Sequence, residues 1–206
     1  MSLGTWLNRN LLRRSSTEKV PTDALVEMRF SVLDLDVTGT AVSRDSVWGI
    51  ALLPVEAASF KVSDIKYYDV PAQGPGVAGD LAVWRNDYSE LARIMTDSLI
   101  VTYNVRFVRA MMEKLCARFG LEPPSQEWME ITAFLDEWDS GDSAVTNMSY
   151  WLQKMQRGPR RPHDAVYDVH LMAQMLLAVL AYSEESGHET LETVVRNSKA
   201  RTWLRG

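Results

Sequence analysis

The chain has 206 residues, of which 46% are hydrophobic and 24% are charged, and its formal net charge is −5. This length and composition favour a single domain with a sizeable buried core. No apolar run approaches the roughly 18 residues needed to span a bilayer, so no membrane contact is expected. The single cysteine excludes a disulfide framework and predicts a reducing, cytoplasmic compartment.

Basic residues are concentrated in two short stretches, despite the acidic balance of the whole chain. Residues 153–163 include Lys154, Arg157, Arg160 and Arg161 and no acid, and the last eleven residues are also basic. Such a run is typical of a solvated protein face. The same cations could equally steer a polyanion such as nucleic acid.

Composition divides the chain into three parts. The first residues combine arginines with a rough helical stripe of apolar side chains, ahead of the first strand pattern. We predict an N-terminal extension over residues 1–28, one domain over residues 29–185 and a basic C-terminal tail over residues 186–206.

The domain opens with three predicted strands. Residues 30–35 are almost continuously apolar, as in a central strand that is buried on both faces. Residues 46–55 predict a second strand, and the rough alternation over residues 60–67 predicts a third strand nearer an edge. The short turns between them indicate an antiparallel meander.

Helices then alternate with strands. Helices are predicted at 88–95, 105–119, 147–155 and 164–183, and strands at 99–103 and 128–133. The clearest helical repeat is followed by Gly120 and comprises Val108, Met111, Met112, Leu115, Cys116 and Phe119. A meander followed by α-β-α-β-α predicts an α/β protein of three layers with a mixed five-stranded central sheet.

Two acids close the first strand. Asp34 and Asp36 are two residues apart, so their side chains point to the same face. Adjacent carboxylates repel each other unless a cation neutralises them, and hard oxygen ligands suit Mg²⁺ or Mn²⁺. A turn at the strand end, where Asp is common, explains the pair as well.

A third acid lies in the last predicted helix. Asp168 falls three residues after Ala165 and four before Met172, on the apolar face of that helix. A buried acid needs a partner, which could be a hydrogen-bond donor or a metal shared with Asp34. His163 stands at or just before the start of the helix and could reach into a cleft.

These motifs resemble those of the DEDDh 3′-5′ exonucleases, a branch of the ribonuclease H-like superfamily. In that family the first motif is Asp-x-Glu followed by two Thr or Ser residues and Gly, and this chain has Asp34, Asp36, Thr38 and Gly39. The third motif, His-x-Ala-x-x-Asp, is matched in full by His163, Ala165 and Asp168. The resemblance covers about residues 30–182 and implies the ribonuclease H-like fold.

The chain departs from the family pattern at two ligand positions. Asp36 replaces the Glu of the first motif, and its side chain is one methylene shorter. In the second motif Asn104 and Phe107 match, but Val108 stands where the family has a metal-binding Asp. No Asp or Glu occurs from residue 98 to residue 112.

The resemblance implies a phosphodiesterase that uses two metal ions about 4 Å apart, Mg²⁺ or Mn²⁺. Asp34 would bridge both ions, Asp36 and Asp168 would hold the ion that carries the attacking water, and His163 would be the general base. The implied substrate is the 3′ end of single-stranded DNA or RNA, or a short oligonucleotide, and a polymerase or another protein is a possible partner. Predicted substrate contacts are Thr38, Asn104, Phe107, Arg160 and Arg161.

Three interpretations follow from the sequence. The chain is a divergent 3′-5′ exonuclease, or a nucleic-acid or protein binding module that has lost catalysis, or an ordinary α/β domain in which the motifs coincide by chance. Retention of His163 favours the enzyme, whereas Val108 favours loss of catalysis.

Overall fold

The computed structural model of the protein describes residues 28–72, 78–131 and 164–185. The predicted N-terminal extension, the basic C-terminal tail and the helix predicted at 147–155 lie outside these residues and stay predictions. Within the described part, no helix is long and apolar enough to cross a membrane.

The described elements alternate as the sequence pattern predicts. In chain order they are β1 (Arg29–Val37), β2 (Val47–Glu56), a short 3₁₀ turn (Val62–Asp64), β3 (Lys66–Asp69), α1 (Ala78–Met95), β4 (Leu99–Thr102), α2 (Val105–Phe119), β5 (Trp128–Glu130) and α3 (Ala165–Glu185).

The strands form one mixed sheet in the order β3-β2-β1-β4-β5. The meander β1-β2-β3 is antiparallel, whereas β4 pairs parallel to β1 and β5 pairs parallel to β4. β1 is therefore the central strand, and its carboxyl end lies at the same sheet edge as the carboxyl ends of β4 and β5. The predicted mixed five-stranded α/β sheet is confirmed.

Two apolar cores cover the two faces of this sheet. On one face Phe30 and Val32 of β1 pack with Val169 and Met172 of α3. On the other face Leu33 and Leu35 pack with side chains of α1 and α2, including Trp84, Leu91, Met111, Met112 and Leu115. Burial on both faces explains why the sequence of β1 is apolar without strict alternation.

Two elements begin several residues away from their predicted starts. α1 begins at Ala78, ten residues before the predicted start, and its buried stripe includes Trp84, Tyr88 and Leu91. β3 begins only at Lys66, because Val62–Asp64 form a 3₁₀ turn in which no residue is buried. Because the residues of this turn are not buried, the apolar alternation over residues 60–67 does not lead to a strand before Lys66.

The tight turn after β2 has two alanines in the left-handed region. Ala57 and Ala58 have φ of 49° and 48°, and the backbones of Glu56 and Ser59 bond reciprocally at 2.9 Å. A side chain with a Cβ costs about 1–2 kcal/mol in this region, whereas glycine adopts it freely.

Ala57→Gly is therefore expected to stabilise the protein by about 0.5–1 kcal/mol, because Ala57 is exposed and relief of strain exceeds the added entropy of the unfolded chain. Thermal unfolding should show Tm raised by about 1–4 °C. The matched control is Ala92→Gly inside α1, which should lose about 1 kcal/mol. A lower Tm for Ala57→Gly would contradict the strain at this turn.

Candidate functional site at the carboxyl end of the central strand

Asp34 and Asp36 point to the α3 side of the sheet. They alternate with Leu33 and Leu35, whose side chains lie in the core on the opposite face. Asp34 is half-buried, and Asp36 is 4% exposed. The predicted common face of the two acids is thus the face that α3 covers.

The carboxylate of Asp36 accepts two hydrogen bonds. The backbone N–H of Ala165, at the start of α3, donates to Oδ1 over 3.1 Å. The hydroxyl of Tyr67 on β3 donates to Oδ2 over 2.9 Å. Both donors come from elements far along the chain, which explains why the sequence pattern did not reveal them.

Gly49 provides the space for the Tyr67 contact. It pairs with Asp36 across the β1–β2 ladder, and a Cβ built on it would lie 2.0 Å from the Tyr67 hydroxyl oxygen and 3.1 Å from Oδ2 of Asp36. The absence of a side chain at Gly49 therefore lets the tyrosine cross β2 and reach the acid.

Asp168 lies in the first turn of α3. Its side chain is 6% exposed, in agreement with the apolar stripe on which the sequence places it. Asp164 caps the helix, since its Oδ1 accepts the N–H of Tyr167 over 3.2 Å and its backbone carbonyl accepts the N–H of Asp168 over 2.9 Å. The bond between Ala165 and Asp36 brings this turn to the end of β1.

Three predicted site residues lie outside the described part of the chain. These are His163, Arg160 and Arg161. His163 directly precedes Asp164, the residue that caps α3 and the first described residue of this segment. Their roles stay predictions.

Asn104 and Phe107 of the second motif form the start of α2. Asn104 adopts the left-handed conformation with φ of 61°, and its side chain accepts the N–H of Phe107 over 3.3 Å. Glu130 at the end of β5 accepts the N–H groups of Asn104 and Val105 over 3.1 and 2.8 Å. Sequence reasoning missed Glu130, because its partners lie about 25 residues earlier.

Val108 lies in the core shared with α1 and α2 and is 3% exposed. Val108 packs among apolar side chains. This core covers the face of the sheet opposite to the one on which Asp34 and Asp36 lie. The position that the family resemblance assigns to a second-metal ligand is therefore occupied by buried hydrocarbon.

Thr38 belongs to the loop between β1 and β2. It closes this loop with Ser46, whose N–H donates to the Thr38 hydroxyl over 3.0 Å and whose carbonyl accepts the Thr38 N–H over 2.9 Å. Lys114 of α2 donates to the carbonyls of Val42 and Asp45 over 2.8 and 2.7 Å. The loop after the acid pair is held in place, and a substrate contact by Thr38 stays a prediction.

The described residues do not fit a centre of two metal ions. Among them, no three His, Cys, Asp or Glu side chains are grouped so as to hold a metal ion. Both oxygens of Asp36 already accept hydrogen bonds, and the aliphatic side chain of Val108 has no atom that can bind a metal ion. Carboxylate chemistry suited to Mg²⁺ or Mn²⁺ is present at Asp34, Asp36 and Asp168, but not the arrangement that two ions require.

The fold is similar to that of solved exonucleases. Escherichia coli exonuclease I in complex with a dT13 oligonucleotide has a TM-score of 0.58 at 14% identity, over 78% of this chain and 43% of exonuclease I. A zinc-bound form of its complex with single-stranded DNA has a TM-score of 0.59 at 14% identity, over 79% of this chain and 42% of that one. This chain thus spans less than half of exonuclease I.

Exonuclease X in complex with 5′-overhanging duplex DNA matches over almost its whole length. The TM-score is 0.53 at 17% identity, over 82% of this chain and 99% of exonuclease X. No protein-family profile and no curated protein sequence matches this chain. These similarities confirm the predicted ribonuclease H-like fold, whereas exonuclease activity and membership of the DEDDh branch stay predictions.

The geometry at Asn104 yields a test of whether this residue caps α2. Asn104→Ala loses both the cap and the left-handed preference, so it should cost about 1–2 kcal/mol, whereas Asn104→Gly should cost only a few tenths. Urea unfolding measures both values. Equal stability of the wild type and Asn104→Ala would show that the residue is not held there as a cap.

Proposed function

We propose that this protein is a divergent 3′-5′ exonuclease that acts on the 3′ end of single-stranded DNA or RNA, or on short oligonucleotides. The observation that carries the proposal is the meeting of β1 and α3 at one end of an exonuclease-type sheet. Asp34 and Asp36 face the helix there, and the N–H of Ala165 bonds to Asp36 three residues before Asp168.

Two further features support a nucleic-acid substrate. The structurally similar exonucleases I and X were solved with DNA bound. The segment that leads into α3 carries Arg160, Arg161 and His163, whose chemistry suits a phosphate backbone. A polymerase or other protein partner and a cytoplasmic location are further proposals from the sequence.

Hydrolysis of a phosphodiester requires a group that takes the proton of the attacking water. We assign this role to His163, because an imidazole has a pKa near neutrality and the residue directly precedes the acid-lined end of α3. Asp34 and Asp168 supply negative charge and oxygen acceptors where the end of β1 meets the start of α3. Since the described residues do not fit a two-metal centre, no step is assigned to a cation.

The second candidate function is binding without catalysis, as a nucleic-acid or protein binding module. Val108 favours it, because buried hydrocarbon replaces a carboxylate that the family motif places there. The two hydrogen bonds to Asp36 also favour binding without catalysis, because protein donors engage both oxygens of an acid that the family motif assigns to a metal ion.

A nuclease assay separates the two functions. The wild type should shorten 5′-labelled single-stranded DNA or RNA from the 3′ end. The reaction is run in Mg²⁺, in Mn²⁺ and in EDTA, and cleavage that EDTA alone prevents would show that a cation is required. Asp34→Asn should abolish cleavage, and His163→Ala should slow it by about 10²–10⁴-fold. Asp69→Asn, at an exposed acid on β3, is the control and should cleave normally.

Retained oligonucleotide binding without cleavage by the wild type would establish the binding module. Neither binding nor cleavage would overturn both functions.

Trp48 provides a separate test of nucleic-acid binding. It occupies the β-bulge of β2 opposite the end of β1, and its side chain is 48% exposed. Exposed aromatic rings stack on bases with about 1–3 kcal/mol per base. Trp48→Ala should therefore weaken binding of a fluorescent oligonucleotide by about 5–100-fold.

The control for this test is Val83→Ala, which alters an exposed apolar side chain on α1 and should leave Kd unchanged. Equal affinity of Trp48→Ala and the wild type would exclude stacking on this ring.

A further inference from the structure

Asp36 is a buried acid whose two oxygens are satisfied by protein donors. Its exposure is 4%, with Ala165 N–H at 3.1 Å on Oδ1 and the Tyr67 hydroxyl at 2.9 Å on Oδ2. A carboxylate removed from water is costly unless it is paired or hydrogen-bonded. These two bonds supply that compensation without any ion.

The first of these bonds completes the amino-terminal cap of α3. The first four N–H groups of a helix have no partner within the helix. Asp164 takes the N–H of Tyr167, and Asp36, 129 residues earlier in the chain, takes the N–H of Ala165. The cap of this helix is therefore shared between its own preceding residue and the central strand.

The second bond depends on the shape of β2. Tyr67 reaches Asp36 only across Gly49, where a Cβ would lie 2.0 Å from the tyrosine oxygen. Burial and the bond to Asp36 raise the pKa of the Tyr67 phenol, so the hydroxyl keeps the proton that it donates.

A cation at Oδ1 would be placed poorly. The amide that donates to this oxygen belongs to the amino-terminal end of α3, where the helix dipole carries partial positive charge. A metal ion bound there would be repelled by that end and would compete with the amide for the same oxygen. The family motif has a longer Glu at this position, whereas Asp36 ends one methylene sooner.

We propose that Asp36, Tyr67 and Gly49 form a latch that fixes the first turn of α3, and with it Asp168, against the sheet, and that Asp36 is the acceptor of this latch rather than a metal ligand. Asp36 and Tyr67 are thus positioning residues. The inference concerns how the helix is held and does not require that the protein cleaves nucleic acid.

Amide hydrogen exchange tests the latch directly. The N–H of Ala165 should exchange about 10-fold faster in Tyr67→Phe and in Gly49→Ala, because each variant removes the tyrosine bond that orients the acceptor. The N–H of Val108, which bonds to the carbonyl of Asn104, is the internal reference and should not change. Tm should fall by roughly 2–6 °C in both variants.

The conservative variant Asp36→Asn distinguishes an acceptor from a metal ligand. The amide oxygen of Asn can still accept from Ala165, so exchange at this position should stay near the wild-type rate. Any rise in Tm that Mn²⁺ causes in the wild type should persist in Asp36→Asn and in the control Asp69→Asn. If Mn²⁺ does not change the Tm of the wild type, this result also agrees with Asp36 being a hydrogen-bond acceptor and not a metal ligand.

Two results would overturn the proposal. One is unchanged Ala165 exchange in both Tyr67→Phe and Gly49→Ala. The other is a Mn²⁺-induced rise in Tm that Asp36→Asn alone loses. Neither measurement reads nuclease activity, so failure of the proposed function would leave this test intact.

Discussion

The structure depends on one buried carboxylate at the end of its central strand. Asp36 needs hydrogen-bond donors because it is almost fully removed from water. Those donors come from a strand 31 residues later and from a helix 129 residues later. Satisfying this acid therefore fixes where the edge strand β3 and the helix α3 meet β1.

This constraint has a consequence for chemistry. In the family that the motifs resemble, the sheet end carries acids that hold two metal ions, and this chain changes two of those positions. Asp36 is engaged by the protein itself, and Val108 has joined the core on the opposite face. The fold that this chain shares with solved exonucleases is thus combined with its own set of side chains at the sheet end, because a fold does not by itself fix the chemistry of a site.

The surroundings of the site are also held by long-range contacts. Glu130 accepts the first amides of α2, Lys114 holds the loop that follows the acid pair, and Gly120 ends α2 in the left-handed conformation. Arg118 near the end of α2 donates to the carbonyls of Pro71 and Ala72 over 2.9 and 2.7 Å. α2 therefore holds two segments in place, namely the loop between β1 and β2 and the residues that directly follow β3.

The sequence by itself determined the elements whose burial repeats with a clear period. α2 has the bounds Val105–Phe119 that its apolar repeat and Gly120 predict, and β1 is buried on both faces as its apolar run predicts. The common face of Asp34 and Asp36 and the inward position of Asp168 follow from the same periodicity. β3 begins six residues after the start that the pattern predicts, because alternation alone does not show whether a segment is buried. Only the tertiary structure decided that Tyr67 crosses Gly49 to reach Asp36, that Asp36 caps α3, and that Glu130 caps α2. Such partners are set by the packing of distant segments, and local sequence carries no record of which donor will meet which acid.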